Sequence, residues 1–325
     1  MKKILICFFS SFLFIQPVQS SLPHFSHYVI FGDSLTDIGN YTTTSKNCVY
    51  FNAPITNHTD CKSKYTNSTW ANAGDFKNIL ASNNGGANYA VAGYTTAQIL
   101  TSVKNYKTFH HAKPDTLYII WAGTNDILSA ISGHWSDEAV HQALIDGTNN
   151  IILSMNNLYD IGARNFLIIG LMDLSQTPMS TYPQADPENI LGVFANTENK
   201  SRLHNMCHEW NTILFDQPNS TQKQLTPFKN KHQDTHIYIW NPTPLLTSMM
   251  NNPAAFGYPN HLKFNLHHSN TKVTRYQNSQ ITYCGNTAND ADRNPDHYLF
   301  YNFIHPTPSA YHIIQQELVK NSTEI

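Results

Sequence analysis

Charge is what this sequence has least of. Acids and bases make up 13 % of the chain, 22 against 20, for a formal net charge of −2. A nucleic-acid-binding surface needs clustered Lys and Arg to displace counterions from phosphates, and no basic stripe occurs. The same near-neutrality argues against an enzyme for anionic polymers. Cysteines are few and no Cys-x-x-Cys spacing occurs, so no metal site is expected, and no motif calls for a cofactor. No internal repeat or linker breaks the chain. Low charge does not mean disorder here, because 17 Tyr, 17 Phe and 5 Trp supply a core.

The first twenty residues stand apart. Lys2 and Lys3 precede an apolar stretch, Ile4 to Ile15, then Pro17 and Val18-Gln19-Ser20. A positive start, a short apolar run and small residues at the end read as a secretory signal peptide over 1–20. The apolar run is too short to span a bilayer, and no later segment is longer. The expectation is therefore an exported protein, extracellular or periplasmic, with one domain over 21–325. Removing Cys7 leaves Cys48, Cys61, Cys207 and Cys284, an even number that suits an oxidising compartment. Four cysteines allow three pairings. Cys48–Cys61 and Cys207–Cys284 are favoured, since the first pair closes a short Asn/Thr-rich loop without apolar anchors.

Apolar runs at 27–31 (HYVIF), 116–123 (TLYIIWAG), 165–171 (NFLIIGL) and 236–241 (HIYIWN) read as buried strands, and 88–93 (NYAVAG) as a shorter one. Between them lie helical stretches at about 96–110 and 190–215. A long helix starts at Ser136-Asp137-Glu138 and stops at Gly162; Val140, Leu144, Gly147, Ile151, Met155 and Leu158 form its apolar face. Residues 307–320 make a closing helix. Strands apolar on both faces and separated by helices predict an α/β three-layer sandwich, its mostly parallel sheet covered on both sides. Irregular insertions are expected at about 41–75 and 251–297.

In such sheets chemistry gathers beyond the carboxyl ends of the strands. Ser34, Gly93 and Asn125 each fall just past a strand end. A serine hydroxyl is a weak nucleophile until a base takes its proton, and the candidate is His305 in "YLFYNFIHPT" (298–307). The surroundings of Ser34 are not a Gly-x-Ser-x-Gly elbow, because Leu35 and Thr36 follow it.

"FGDSLTDIGN", "NYAVAG", "GTND" and "HPT" occur in the order of the four blocks of the GDSL or SGNH hydrolases, and the chain resembles that family along essentially its whole length after residue 20. The resemblance implies roles. Ser34 would be nucleophile and, through its backbone N–H, one oxyanion donor. Gly93 would supply a second backbone donor, Asn125 a third through its side-chain amide, and His305 would be the base. Asp33, Asp37 and Asp126 would shape loops. The family places an aspartate three residues before the histidine, and here Asn302 holds that position. Asn302 orienting His305 through its carbonyl oxygen, a different anion such as Asp296 or a halide beside the Asn302 amide, and an inactivating change are the three alternatives.

"NPAAFGYPN" (252–260) is similar to a segment of secreted bacterial phospholipases and lysophospholipases, some of which transfer acyl groups to cholesterol. That resemblance implies a lysophospholipid or phospholipid substrate at a membrane or micelle surface, with a sterol as a second acceptor. Met249, Met250, Phe256 and Tyr258 would line an acyl channel. A carbohydrate acetylesterase and a lipid-binding pseudoenzyme lacking its acid are the competing functions. Oligomeric state stays open.

Overall fold

The computed structural model describes residues 21–37, 87–113, 115–181, 197–220, 222–258, 299–300 and 304–325. Residues 1–20, the whole of the expected insertion at 41–75 with Cys48 and Cys61, and Cys284, Asp296 and Asn302 lie outside them.

The strands are β1 (His27–Gly32), β2 (Ala87–Asn88), β3 (Thr116–Trp121), β4 (Asn165–Ile169), β5 (His236–Trp240) and β6 (Thr323–Glu324). They form one sheet in the order β2-β1-β3-β4-β5-β6. Every pairing is parallel except β5 with β6. All six residues of β3 are buried, and so are Phe166 to Ile169 of β4. That explains the uninterrupted apolar runs: a strand with helices on both sides has no solvent face on which to alternate.

The helices of seven residues or more among the described residues are α1 (Thr96–Phe109), α2 (Thr124–Ser132), α3 (Asp137–Asp160), α4 (Thr197–Leu214), α5 (Leu225–Lys231), α6 (Thr243–Asn251) and α7 (Pro308–Asn321). Helix α3 begins as its sequence dictates: the Ser136 hydroxyl accepts from the Ala139 N–H at 3.3 Å, with Asp137 and Glu138 in the first turn. Its buried stripe holds all six residues of the expected apolar face. Helix α4 covers the described part of the stretch expected at 190–215. Aromatic rings stitch the core across the sheet, from Tyr89 and Phe31 through Tyr106 and Tyr118 to Phe166 and Phe228.

Two segments differ from the sequence reading. The strand expected at 88–93 is regular only at Ala87–Asn88. Tyr89 and Val91 still donate to the Ile30 and Gly32 carbonyls, at 2.8 and 3.1 Å, while the Asn88 side chain accepts from the Ala90 N–H at 2.9 Å and donates to the Thr36 carbonyl at 2.7 Å. The "GTND" segment, past the end of β3, opens nine-residue α2. Pro253–Phe256, within the expected irregular stretch, forms a 3₁₀ turn.

Because β1, β3, β4 and β5 run parallel, their carboxyl ends share one edge of the sheet. Ser34, Asn125, Asp173 and Asn241 all follow these ends.

Candidate active site

The nucleophile turn starts where β1 ends. The Asp33 carbonyl accepts from the N–H groups of Thr36 (3.1 Å) and Asp37 (3.0 Å), and the Asp33 carboxylate takes the Leu35 N–H at 2.9 Å. From α7, the buried Tyr311 hydroxyl donates to the Leu35 carbonyl at 2.9 Å. This single helical turn lifts Ser34 off the sheet edge. Asp37 then accepts from the Ala92 N–H at 2.7 Å and ties the turn to the loop that carries Gly93. Asp33 and Asp37 are thus loop-shaping groups. Burial, with the Asp126 charge adding to it against the Leu35 N–H, pushes the Asp33 carboxyl up to about 7.

His305 approaches from the other end of the chain. Phe300 and Pro306 form an isolated bridge, and the Thr307 N–H reaches the Leu299 carbonyl at 3.0 Å. Thr307 also caps α7, its side chain accepting from the Ala310 N–H at 3.2 Å. Between bridge and cap, His305 places Nε2 2.8 Å from Ser34 Oγ. Both residues are buried, and burial pushes the imidazole down to about 3, so it is neutral near pH 7 with a lone pair to accept a proton. The expected orienting residue, Asn302, lies outside the described residues.

The expected donors come from two further strand ends. Gly93 has φ +83°, a conformation costly for any side chain, and among the described residues a Cβ there would meet nothing within 4 Å. Among the described residues no group takes the N–H of Ser34 or of Gly93. Asn125, in the first turn of α2, donates one amide proton to the Tyr94 carbonyl at 3.0 Å, which leaves the second proton of Nδ2 available. Beside it, the half-buried Asp126 accepts from the Thr96 N–H (3.0 Å) and the Thr96 hydroxyl (2.7 Å), and Asn150 donates to that hydroxyl at 3.2 Å. Asn125 and Asp126 together lock the Gly93 loop to α2. Burial raises the Asp126 carboxyl even against the Thr96 hydrogen bonds.

The structure thus brings Ser34 and His305 together with the loops of Gly93 and Asn125 at one edge. The other expected residues fall elsewhere. Met249 and Tyr258 are buried core, while Met250 and Phe256 pack against it half-buried. The Tyr258 hydroxyl lies 3.3 Å from Ser309 Oγ, itself 3.0 Å from Thr307 Oγ1, so this segment adjoins the His305 loop. Cys207 was expected to pair with Cys284, but it is a free thiol on the buried side of α4. Burial pushes it up to about 12, which makes it a small apolar filler. Among the described residues no group of three or more His, Cys, Asp or Glu side chains could hold a metal ion.

Sequence reasoning missed a second polar constellation on the same edge. Asp173, past β4, is nearly buried and accepts from the Ser175 N–H (3.0 Å), the Gln176 amide (3.0 Å) and His204 Nδ1 (2.8 Å). The clue was an acid just beyond a buried strand end, the criterion that had selected Ser34 and Asn125.

Among curated proteins, the chain is 25 % identical over 197 residues to the phosphatidylcholine-sterol acyltransferase of Aeromonas hydrophila, covering 55 % of this chain and 54 % of that one. It is 23 % identical over 225 residues to the Arabidopsis thaliana GDSL esterase/lipase EXL6, covering 67 % and 55 %. The match thus spans about half the length of these relatives. Similar solved structures include a lipolytic G-D-S-L family protein of Veillonella parvula (TM-score 0.40, 11 % identity, 90 % and 94 % covered). Another is the acetyl xylan esterase Axe2 of Geobacillus stearothermophilus (TM-score 0.39, 9 % identity, 92 % and 97 % covered). The family profile described as GDSL-like Lipase/Acylhydrolase matches residues 28–318, from β1 into α7, and the chain belongs to that family.

Proposed function

We propose that the chain is an exported serine esterase that cleaves the acyl ester of lysophospholipids, with transfer of the acyl group to a sterol as a side reaction. The observation that carries the esterase reading is the 2.8 Å approach of His305 Nε2 to Ser34 Oγ. Ser34 Oγ attacks the ester carbonyl carbon while its proton passes to His305 Nε2. The carbonyl oxygen becomes an oxyanion that accepts from the N–H groups of Ser34 and Gly93 and from Asn125 Nδ2. His305 then returns the proton to the departing alkoxide, leaving an acyl-serine. Water attacking that acyl group completes hydrolysis; a sterol hydroxyl in its place completes transfer. A buried imidazole resists charge, so the imidazolium and the oxyanion stabilise each other as they form.

Support for a lipid substrate comes from the 25 % likeness to a phosphatidylcholine-sterol acyltransferase. The half-buried Met250 and Phe256, a few residues before Tyr258, offer apolar surface for an acyl chain. The test is a hydrolysis panel of lysophosphatidylcholine, phosphatidylcholine and p-nitrophenyl acetate, with and without cholesterol, on the protein and on Ser34→Ala. Fatty acid released fastest from lysophosphatidylcholine, and none by Ser34→Ala, is the expected result. A fast acetyl esterase that ignores lysolipids would point to a carbohydrate acetylesterase. A Ser34 that a fluorophosphonate does not label would make the chain a lipid-binding pseudoenzyme.

A further inference from the structure

We infer that Trp210 is a positioning residue that holds the oxyanion donor Asn125 at its working height, an inference that rests on Asn125 being such a donor. Trp210 lies on α4, remote in sequence from every motif of the site, and is fully buried. Its ring is wedged against two glycines from different elements. A Cβ at Gly123 would lie 2.3 Å from its Cζ2, and a Cβ at Gly147 would lie 2.6 Å from its Cζ3. No side chain larger than hydrogen fits at either position, so the ring touches both backbones directly.

Gly123 is the residue on which α2 begins, with φ +116°, and Asn125 follows two residues later. Gly147 sits on the buried stripe of α3. The indole is therefore a rigid plate set between α3 and the first turn of α2. Its N–H has no hydrogen-bond partner among the described residues. A buried unpaired donor is unfavourable. The residue therefore contributes shape here rather than a hydrogen bond. The clasp of Asp126, Thr96 and Asn150 meets the same part of α3, with Asp126 Oδ1 3.5 Å from the Cβ position of Gly147. Trp210 thus packs against the backbone of the turn at Gly123, and the Tyr94 carbonyl holds the Asn125 amide. A thinner ring would let residues 123–125 settle away from the Gly93 N–H while leaving the substrate's other contacts alone.

The experiment is steady-state hydrolysis of p-nitrophenyl butyrate by the full chain and by Trp210→Phe, Gly147→Ala, Asn125→Ala and the doubles of each of the first two with Asn125→Ala. A misplacement near 1 Å can cost about 10² in rate, so Trp210→Phe is expected to lower kcat by roughly 10- to 100-fold with KM within about twofold. Gly147→Ala, which pushes the ring at Cζ3, is expected to show the same split. In the Asn125→Ala background either change should cost less than about threefold more, because the donor they position is already gone. Wild-type kcat in both variants, a rise in KM alone, or losses that multiply in the doubles would overturn the inference. If Trp210→Phe does not fold, as its melting curve would show, Gly147→Ala and its double decide the matter on the same outcomes. Wild-type turnover by Asn125→Ala would instead remove the oxyanion reading itself and the inference with it.

Discussion

Two histidine pairs occupy the same carboxyl edge of the sheet, and only one has the parts of a catalyst. At the β1–β3 end, His305 is buried against Ser34, pushed down to about 3, and flanked by backbone donors with no described partner. At the β4–β5 end, His204 lies 2.8 Å from Asp173 but its side chain is 59 % exposed. Burial would raise the Asp173 carboxyl, yet hydrogen bonds from Ser175, Gln176 and His204 hold it below the usual carboxylate range. Its neighbours are occupied with one another. Asn211 accepts from the Leu171 N–H and donates to the Leu171 carbonyl, both at 2.8 Å, and Thr243 donates to that same carbonyl at 3.0 Å. They line a cavity of about 210 Å³ whose hydrogen bonds are largely spent on holding α4 and α6 to the strand ends. A histidine beside a polar partner is common to both ends. What separates them is burial of the imidazole, a nucleophile in reach, and donors left unsatisfied.

Substitutions at the two ends can break or sharpen this contrast, and the largest effect belongs to Ser34. Ser34→Ala is expected to lose on the order of 10⁴- to 10⁶-fold in kcat while melting like the parent, measured by ester hydrolysis and circular dichroism. Asn125→Ala should cost roughly 10²–10³ in kcat, with KM little changed. Activity at the β1–β3 end should also persist into acid. A base held at about 3 rather than the ordinary 6.5 stays unprotonated below pH 6, so the acid limb of kcat/KM should fall well under that of a free histidine. A limb centred at pH 6.5 or above would contradict the buried neutral imidazole.

Asn211→Ala, at the other end, should destabilise by about 1–3 kcal/mol by leaving the buried Leu171 groups unpaired, with kcat unchanged within about twofold. His204→Ala should change stability by less than about 1 kcal/mol, because its pair with Asp173 is half solvated, and should leave turnover alone. Comparable kcat losses at the two ends would erase the distinction.

The buried acid beside Ser34 makes a further pH prediction. Asp33 is pushed up to about 7 from an unfolded value near 4, so the native state holds the extra proton between those limits. Its contribution to stability is full below about pH 4 and is lost as pH rises through 7. His305 works in the opposite direction: it binds its proton in the unfolded chain first, so its contribution is full above pH 6.5 and is lost as pH falls toward 3. Asp33→Asn should therefore compare better with the parent at pH 8 than at pH 5 in urea unfolding.

The nucleophile side of the molecule was legible because its residues sit at ends of strongly apolar strands. HYVIF, TLYIIW and NFLII could not be read as anything but buried, and the residues just past the first two proved to be Asp33-Ser34 and the start of α2. The Asp173 constellation followed the same rule but gave no motif. Its partners Asn211 and Thr243 come from separate helices, and nothing local marks them. Helices α5 and α6, seven and nine residues long, escaped notice because so few turns leave little period to see.

The sequence by itself determined the alternation of strand and helix and the shared edge for chemistry, and its resemblance pointed to Ser34, His305, Gly93 and Asn125. Hydrophobic period and residue type are local properties, and they survive without coordinates. Only the tertiary structure decided that His305, 271 residues from Ser34, comes within 2.8 Å of it, and that Cys207 is a buried free thiol. It alone placed Trp210 between two glycines of different elements. Such distances and contacts are set by how helices seat on the sheet, and packing is a property of the whole chain.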